Sequence, residues 1–568
     1  MTETFSFDLI DEPWIPCIRA DDGSVVELSL RQALAEASRL REISDPSPLV
    51  TAALHRLLLA ILHRTHGPRS VDEWAAIWDA GTFDADALDG YLNEQQALGR
   101  FDLFHPERPF YQTTGVHIDE PSYVKPVALL AHELLLGLPP TLFQQTRADL
   151  AFGPARAARV VVALQAFAIG GLITYQSKHG EPDSPYKYSQ SGPLKKGAVV
   201  LNRGANLFET LMLNLHRYDG EDGAPWDFDP ADDLPTWERP IVVGPKRAAS
   251  EAGDRKADGY IDLLTWQSRR VRLIPERIGE AVVIRNAVMM RGNGFPESWN
   301  EALAEPMLAY RINRSAKADD PWPWIVLTFD TDRALWRNSL ALYQSTGESK
   351  RPRMADWIAD LSAAGALPET HQYAVDIFGM ATDKSKIDLW RHERLPLQLE
   401  LLTEPALAPL IVRALAAAEA AGRQLRPGFD EHQSVGQRKK TNRPRPLQLF
   451  ARAMLAPDDD RSPDRGDIAN LVESLDLDQR YWSRLDGPFR DFLVALPTER
   501  EGALGSWLAA IERATTDAFE GTMRTFDTSA RALKAEALAS ARFPAALREA
   551  LEPHRATAGR SAADDAAS

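Results

Sequence analysis

Leu397-Gln-Leu-Glu-Leu-Leu-Thr-Glu-Pro-Ala-Leu-Ala-Pro-Leu-Ile-Val-Arg-Ala-Leu-Ala-Ala-Ala-Glu-Ala-Ala421 sets Leu, Ile and Ala at spacings of three and four, the period of a helix with one apolar face. Similar stretches follow at 444–456, 465–474, 477–495, 501–528 and 530–551, rich in strong helix formers. Upstream, helices and strands alternate, so this stretch marks a change of architecture. The expected class is α+β: a large mixed amino-terminal domain with long loops over 1–395, then an all-α four-helix bundle over 396–555. The Ala/Ser/Asp-rich end, 556–568, is expected to be a disordered tail.

Working upstream, Phe5-Ser-Phe-Asp-Leu-Ile10 alternates as a half-buried strand does, and Asp11-Glu-Pro-Trp-Ile-Pro16 is expected to close it in a turn. Ser29 stands where an N-cap belongs, before Leu30, Ala33, Leu34 and Ala37 at helical spacing. Pro48 precedes an apolar helix from Leu49 to Leu62. Between about 175 and 325 the helical signal fades into Gly, Pro, Ser and Asp, with short strands at Arg270–Ile274 and Ala281–Ile284. No internal repeat or sustained heptad runs through the chain.

The 568 residues suggest two to four domains, and 44% apolar with 26% charged is ordinary globular composition. Basic residues number 65 and acidic 81, a net charge of −16, which argues against a protein that coats nucleic acid over its whole surface. Cys17 is alone, so internal disulfides and thiolate zinc sites are excluded and a cytoplasmic setting is expected. The first residues lack the pattern of a signal peptide, and the most apolar window, Val160–Tyr175, carries Gln165 and falls short of a membrane span; no membrane association is expected.

Catalytic motifs are missing. His55, His63 and His66 sit at helical spacing but without a neighbouring carboxylate, so they read as solvated positions on a helix surface rather than metal ligands. His132-Glu133 would open a zinc-protease motif, but residue 136 is Leu. No P-loop, nucleophile elbow or dinucleotide fingerprint occurs, and Asp458–Asp460 reads as a loop. What remains is polar loop chemistry. Tyr175–Gly197 mixes four Lys, one His and three Tyr, suited to phosphates and bases or simply to solvent, and Trp266-Gln-Ser-Arg-Arg-Val-Arg272 adds a second basic cluster, though Arg at alternate strand positions is also normal for an exposed face. From Arg423 to Arg445 seven basic residues face two acidic ones, a local net of +5 inside an acidic chain.

Phe7-Asp-Leu-Ile-Asp-Glu-Pro-Trp-Ile-Pro16, Leu28-Ser-Leu-Arg-Gln-Ala-Leu34 and Asp45-Pro-Ser-Pro-Leu-Val50 resemble the large-subunit (CasA) family of the type I-E CRISPR Cascade surveillance complex. So do Phe101-Asp-Leu-Phe-His-Pro-Glu-Arg-Pro-Phe-Tyr-Gln112, Leu263–Arg270 and Phe378-Gly-Met-Ala-Thr-Asp-Lys-Ser-Lys-Ile-Asp-Leu-Trp-Arg-His-Glu393. The resemblance implies a subunit without catalysis or cofactor. Such a subunit reads the protospacer-adjacent motif from the minor groove, helps open the duplex for guide-RNA pairing, holds the displaced strand and recruits a helicase-nuclease. Implied partners are double-stranded target DNA and the crRNA-containing subunits of the complex (backbone, small and guide-end-binding). Two other classes stay open: a metal-dependent nucleic-acid hydrolase using the histidines or Asp458–Asp460, and a helical scaffold binding an acidic protein.

The family's motif-reading loops, carried onto this sequence, implicate Phe143 and Gln145 in Leu142-Phe-Gln-Gln145, then Lys187, Gly192, Lys195 and Lys196, then Arg291 as the basic finger. Where the family sets a wedge glutamine before an Arg-His pair, this chain has Lys384, followed by Ser385; a lysine stem can fill an opened stack and lay its ammonium near phosphate. Arg438, Lys439, Lys440, Arg443 and Arg445 are expected on the displaced strand's backbone. Some family members bind zinc through paired Cys-x-x-Cys elements; this chain, with Cys17 alone, is expected to hold no metal.

Overall fold

The structure is a computed structural model. It describes residues 4–555 apart from 117, 119–120, 135–149, 173–187, 196, 219–228, 230, 241–254, 297–304, 318, 321, 369–370, 384–385, 433–440, 457–462 and 527. Residues 556–568, the expected tail, lie outside the described residues. Contacts divide the chain into Met1–Thr403 and Glu404–Ser568, each described by itself below. The division falls after 403 rather than 395 because Leu395–Thr403 is tied to the first unit: Tyr343 Oη donates to Pro396 O at 2.7 Å and Arg351 Nη1 to Leu402 O at 2.6 Å.

The first unit is organised around the helix Pro48–His66, with Pro48 at its first position and every residue from Leu49 to His63 buried. A helix buried all round is a core helix, and it packs on Pro154–Phe167. Ser29 caps the helix Leu30–Ala35 as expected, in a reciprocal box with Gln32. The strand expected at Phe5–Ile10 does not form. Asp8 instead closes a turn, its carbonyl accepting from Asp11 N and Glu12 N, and Leu9 and Ile10 are both fully buried, which alternation cannot achieve. The strand begins at Ile15 and runs to Arg19, central between Val25–Leu28 and Leu40–Ile43.

Two long hairpins dominate the rest of this unit. Arg269–Ile278 pairs with Ala281–Arg291, and Gly279 turns the chain between them at φ +60°, a left-handed conformation that favours glycine. Tyr373–Asp383 pairs with Lys386–Leu397 and, on its other edge, with Val199–Arg203. The middle of the chain also holds the helices Leu207–Asn214 and Tyr260–Leu264, which loop-rich composition concealed.

The second unit is helical. Ala408–Gly422 buries Ile411, Ala414, Ala417, Ala418 and Ala421. Its small side chains leave carbonyls within reach of larger neighbours: Trp507 Nε1 donates to Ala414 O at 2.9 Å and Tyr481 Oη to Ala418 O at 2.8 Å. The long helices Arg500–Met523 and Ala530–Arg555 meet through Phe519 and Phe543, stacked at 4.0 Å. Three expectations change here. The stretch 477–495 is two helices, Leu477–Trp482 and Asp486–Ala495, and the unit is not all-α, because Phe429–His432 and Thr441–Pro444 form a hairpin. Helices Pro446–Met454 and Arg465–Glu473 bring the number beyond a simple four-helix bundle. Pro405–Arg423 has the length and composition of a membrane span, but half of that window is buried inside the protein.

Candidate nucleic-acid interface

The polar loop begins and ends on a two-residue strand pair, Gly171–Leu172 with Tyr188–Ser189, and residues 173–187 between them lie outside the described residues. Three side chains, two of them buried and Gln190 partly so, fasten the returning strand. Gln165, a buried polar residue in the apolar run that ends the helix Pro154–Phe167, holds the backbone of Arg269 through its amide nitrogen and oxygen, both at 2.9 Å. Arg269 is 2% exposed and donates to Gln190 O at 2.8 Å, to Ser189 Oγ and to Ile169 O. Gln190 in turn exchanges two hydrogen bonds with the backbone of Phe295, at 2.7 and 2.8 Å. Burial, with Arg291 close by, pushes the Arg269 guanidinium down to about 10. Arg269 is therefore an interior fastener; Arg270 is buried beside it, while Arg277 farther along the same strand is exposed.

Gly192, Lys195 and Arg291 come together around this clasp. Gly192 N donates to Ala168 O, and a Cβ at 192 would stand 2.6 Å from Ala166 O, so the loop crosses the helix end only as glycine. Lys195 is buried at 8% exposure. Arg291 is buried and sits opposite Arg269 in the hairpin register. Phe143, Gln145, Lys187 and Lys196 lie outside the described residues.

From Gly197 the chain enters Val199–Arg203, the strand that pairs with the second hairpin, Val199 opposite Phe378. A Cβ at Gly379 would fall 2.8 Å from Gly197 O, so loop and hairpin touch backbone to backbone. The hairpin continues past Gly379 to Asp383, paired with Lys386; Lys384 and Ser385, the residues between, lie outside the described residues.

The base of this hairpin is a buried charge network. Asp376, 2% exposed, accepts from His392 Nε2 at 2.9 Å, Arg394 Nε at 2.6 Å and Arg203 Nη1 at 3.4 Å. Glu42 joins the same two arginines, at 2.6 Å from Arg203 and 3.2 Å from Arg394. Burial alone would raise the Asp376 carboxyl, but hydrogen bonds from His392 and Arg394 and the Arg394 charge outweigh it and hold it at about 2. The network borders a cavity of about 470 Å³ with His55 in its lining.

In the second unit the basic stretch 423–445 folds into the hairpin Phe429–His432/Thr441–Pro444, with residues 433–440 outside the described residues, Arg438, Lys439 and Lys440 among them. Arg443 pairs with Glu549 at 3.2 Å and Arg445 with Asp430 at 2.9 Å.

The histidines differ from expectation. His55 and His63 are buried, not solvated. His55 Nδ1 bonds Thr51 O at 2.8 Å, and burial pushes its ring down to about 4. His63 packs among His216, Tyr218 and Tyr260 with both ring nitrogens lacking a hydrogen-bond partner, and His66 Nε2 accepts from Asp84 N at 3.0 Å. Among the described residues no group of His, Cys, Asp and Glu could hold a metal ion; Asp458–Asp460 lie outside them. Sequence reasoning missed Arg269, Gln190 and Asp376. A signal existed for the clasp: Gln165 interrupts the apolar run from Val160 to Phe167.

The fold and these loops define a two-unit α+β chain in which polar and basic segments run between paired strands. Residues 8–518 match the family described as CRISPR-associated protein Cse1. CasA/Cse1 of Thermus thermophilus is 33% identical over 548 residues, 94% of this chain and 96% of that one. The crystal structure of Cse1 from Acidimicrobium ferrooxidans superposes with a TM-score of 0.77 at 25% identity, covering 97% of this chain and 99% of that one. A chain of a structure titled CRISPR RNA-guided surveillance complex shares the fold, with a TM-score of 0.67 at 20% identity over 95% and 99%. This chain belongs to the CRISPR-associated Cse1 (CasA) family.

Proposed function

We propose that this chain is the non-catalytic DNA-recognition subunit of a cytoplasmic guide-RNA surveillance complex. It reads the protospacer-adjacent motif from the minor groove, helps open the duplex, holds the displaced strand and recruits a helicase-nuclease. The observation that carries this reading is the common frame: Gly192, Lys195 and Arg291 gather at one clasp, and the same backbone runs on into the sheet of the hairpin that ends at Asp383 and Lys386. In this reading Phe143, Gln145, Lys187 and Lys196 meet the motif, while buried Lys195 and Arg291 shape the potential and hold the loop. Lys384, with Ser385, wedges the opened step. Arg438, Lys439 and Lys440 meet the displaced strand; the ion pairs of Arg443 and Arg445 are partly exposed and exchange readily for phosphate.

The energetics suit a binder. Exchanging a DNA duplex for an RNA–DNA heteroduplex is nearly balanced, so the subunit has only to nucleate opening and stabilise one product. Lys384→Ala in the reconstituted guide-RNA complex is expected to weaken binding of matched duplex at least tenfold and leave a target opened beforehand by mismatches unaffected, measured by electrophoretic mobility shift. Equal loss on both targets contradicts the wedge. Replacing Arg438, Lys439 and Lys440 together by Gln is expected to lower the salt slope of binding by about 2, at roughly 0.7 per single-strand phosphate contact.

A further inference from the structure

Among the described residues, the buried guanidinium of Arg269 donates only to neutral oxygens: Nη2 to Ile169 O, and Nη1 to Ser189 Oγ, to Gln190 O at 2.8 Å and to Ser268 O at 2.7 Å. An interior cation without an ion-pair partner is costly, and folds keep such exceptions where a site needs its geometry. The geometry here is specific. Ile169 precedes the strand Gly171–Leu172, while Ser189 and Gln190 end and follow its partner Tyr188–Ser189, so one planar fork spans the outgoing and the returning chain. Its own strand is pinned in turn, since Ser268 Oγ donates to Gln165 O at 2.7 Å beside the two Gln165 bonds to the Arg269 backbone.

The returning chain is also tied to the arm that follows Arg291. Gly292 N donates to Ser268 O at 3.2 Å and Asn293 N to Gln267 O at 2.8 Å, extending the hairpin contact past Arg291. A Cβ at Gly292 would stand 2.1 Å from Gln267 O, so the arm lies directly on the strand. Beyond it, the Gln190 side-chain amide exchanges two hydrogen bonds with the Phe295 backbone, as two paired strand residues do, and the Phe295 ring stacks on Trp266 at 4.3 Å. Gly192 and Lys195 follow Gln190 closely, and Arg291 lies shortly before Phe295. The offset between the two segments is therefore set at Gln190 and Arg269.

We propose that Arg269 and Gln190 are positioning residues for motif discrimination: they hold the Gly192–Lys195 segment and the Arg291 arm at one offset, without touching DNA themselves. This rests on the reading of the flanking motif proposed above. The test uses the reconstituted guide-RNA complex with the full-length chain. It measures the ratio of affinities for matched duplexes carrying the best and the poorest flank, and the affinity for a target opened beforehand by mismatches. Arg269→Lys keeps the charge but not the fork, and is expected to cut the ratio at least tenfold. Because a buried substitution can lose structure, Gln190→Met at the partly exposed position is the second variant, expected to cut the ratio at least fivefold while leaving the opened target bound within twofold of the wild-type affinity. An unchanged ratio in Gln190→Met, or a full ratio kept by Arg269→Lys, overturns the proposal while the wild-type chain still discriminates. A parallel fall on the opened target in Gln190→Met marks a merely structural role and overturns it too. A wild-type ratio near one overturns the flank reading itself, and the proposal with it.

Discussion

The two units hold their charges differently. The first unit, besides surface pairs such as Arg314–Glu348, carries charge in its interior: Arg56 and Glu305 form an ion pair at 2.8 Å with side chains 1% and 0% exposed, Asp376 lies beneath three donors, and Arg269 is a fastener. In the second, charge is peripheral: Arg443–Glu549 and Arg426–Asp478 stand around two-fifths exposed over a core of Ala, Leu and aromatic rings. Buried pairs are costly to assemble and costlier to break, so they fix one geometry; exposed pairs are weak and exchangeable. The first unit thus uses polar interiors to set the exit angles of loops that local propensity leaves free. The second uses regular helices to carry a basic hairpin whose arginines pair with Glu549 and Asp430 near its surface.

The contrast predicts a descending series. Arg56→Met strands the Glu305 carboxylate in the core and is expected to cost ~3–5 kcal/mol, read as a lowered urea midpoint for the first unit. A cost under ~1 kcal/mol would break the comparison. Next comes acid sensitivity through His55. Its ring is neutral when folded, with its pKa pushed down from 6.5 to about 4, while the unfolded chain takes up the proton. The stability it contributes is complete above pH 6.5 and is lost as pH falls towards 4, by up to ~3 kcal/mol. His55→Gln is expected to shrink that loss in pH-dependent denaturation.

Asp376 titrates lower. Its carboxyl is depressed from 3.8 to about 2, so its contribution is present above pH 4 and disappears as pH falls towards 2. Asp376→Asn is expected to cost ~2 kcal/mol at neutral pH and to flatten the curve in that acid window. The smallest effect is Glu549→Gln, expected to move the denaturation midpoint of the second unit by less than ~1 kcal/mol, with the difference fading at high salt.

What the sequence made legible was local. The Ser29 box, the Pro48 helix, the strands at Arg270–Ile274 and Ala281–Ile284 and the Ala-rich helix from 408 all follow from spacing and caps between near neighbours. What it hid depends on distant partners. Leu9 and Ile10 turn inward together because Asp8 closes a turn against Asp102 rather than pairing a strand. His63 reads as a surface residue until His216, Tyr218 and Tyr260 close over it. Arg269 looks like one more exposed cation until Gln165 and the returning loop accept its hydrogen bonds. Among the candidate site residues, the sequence singled out Gly192 and Arg291 but not the clasp that unites them.

The central claim is that this chain makes target binding depend on the bases flanking the match. The direct measurement is affinity of the guide-RNA complex for matched duplexes bearing a library of flanking trinucleotides, with and without this chain. The account predicts flank-dependent affinity only when the chain is present, with discrimination reduced by Lys384→Ala. Affinity indifferent to the flank, with the chain bound, would contradict it.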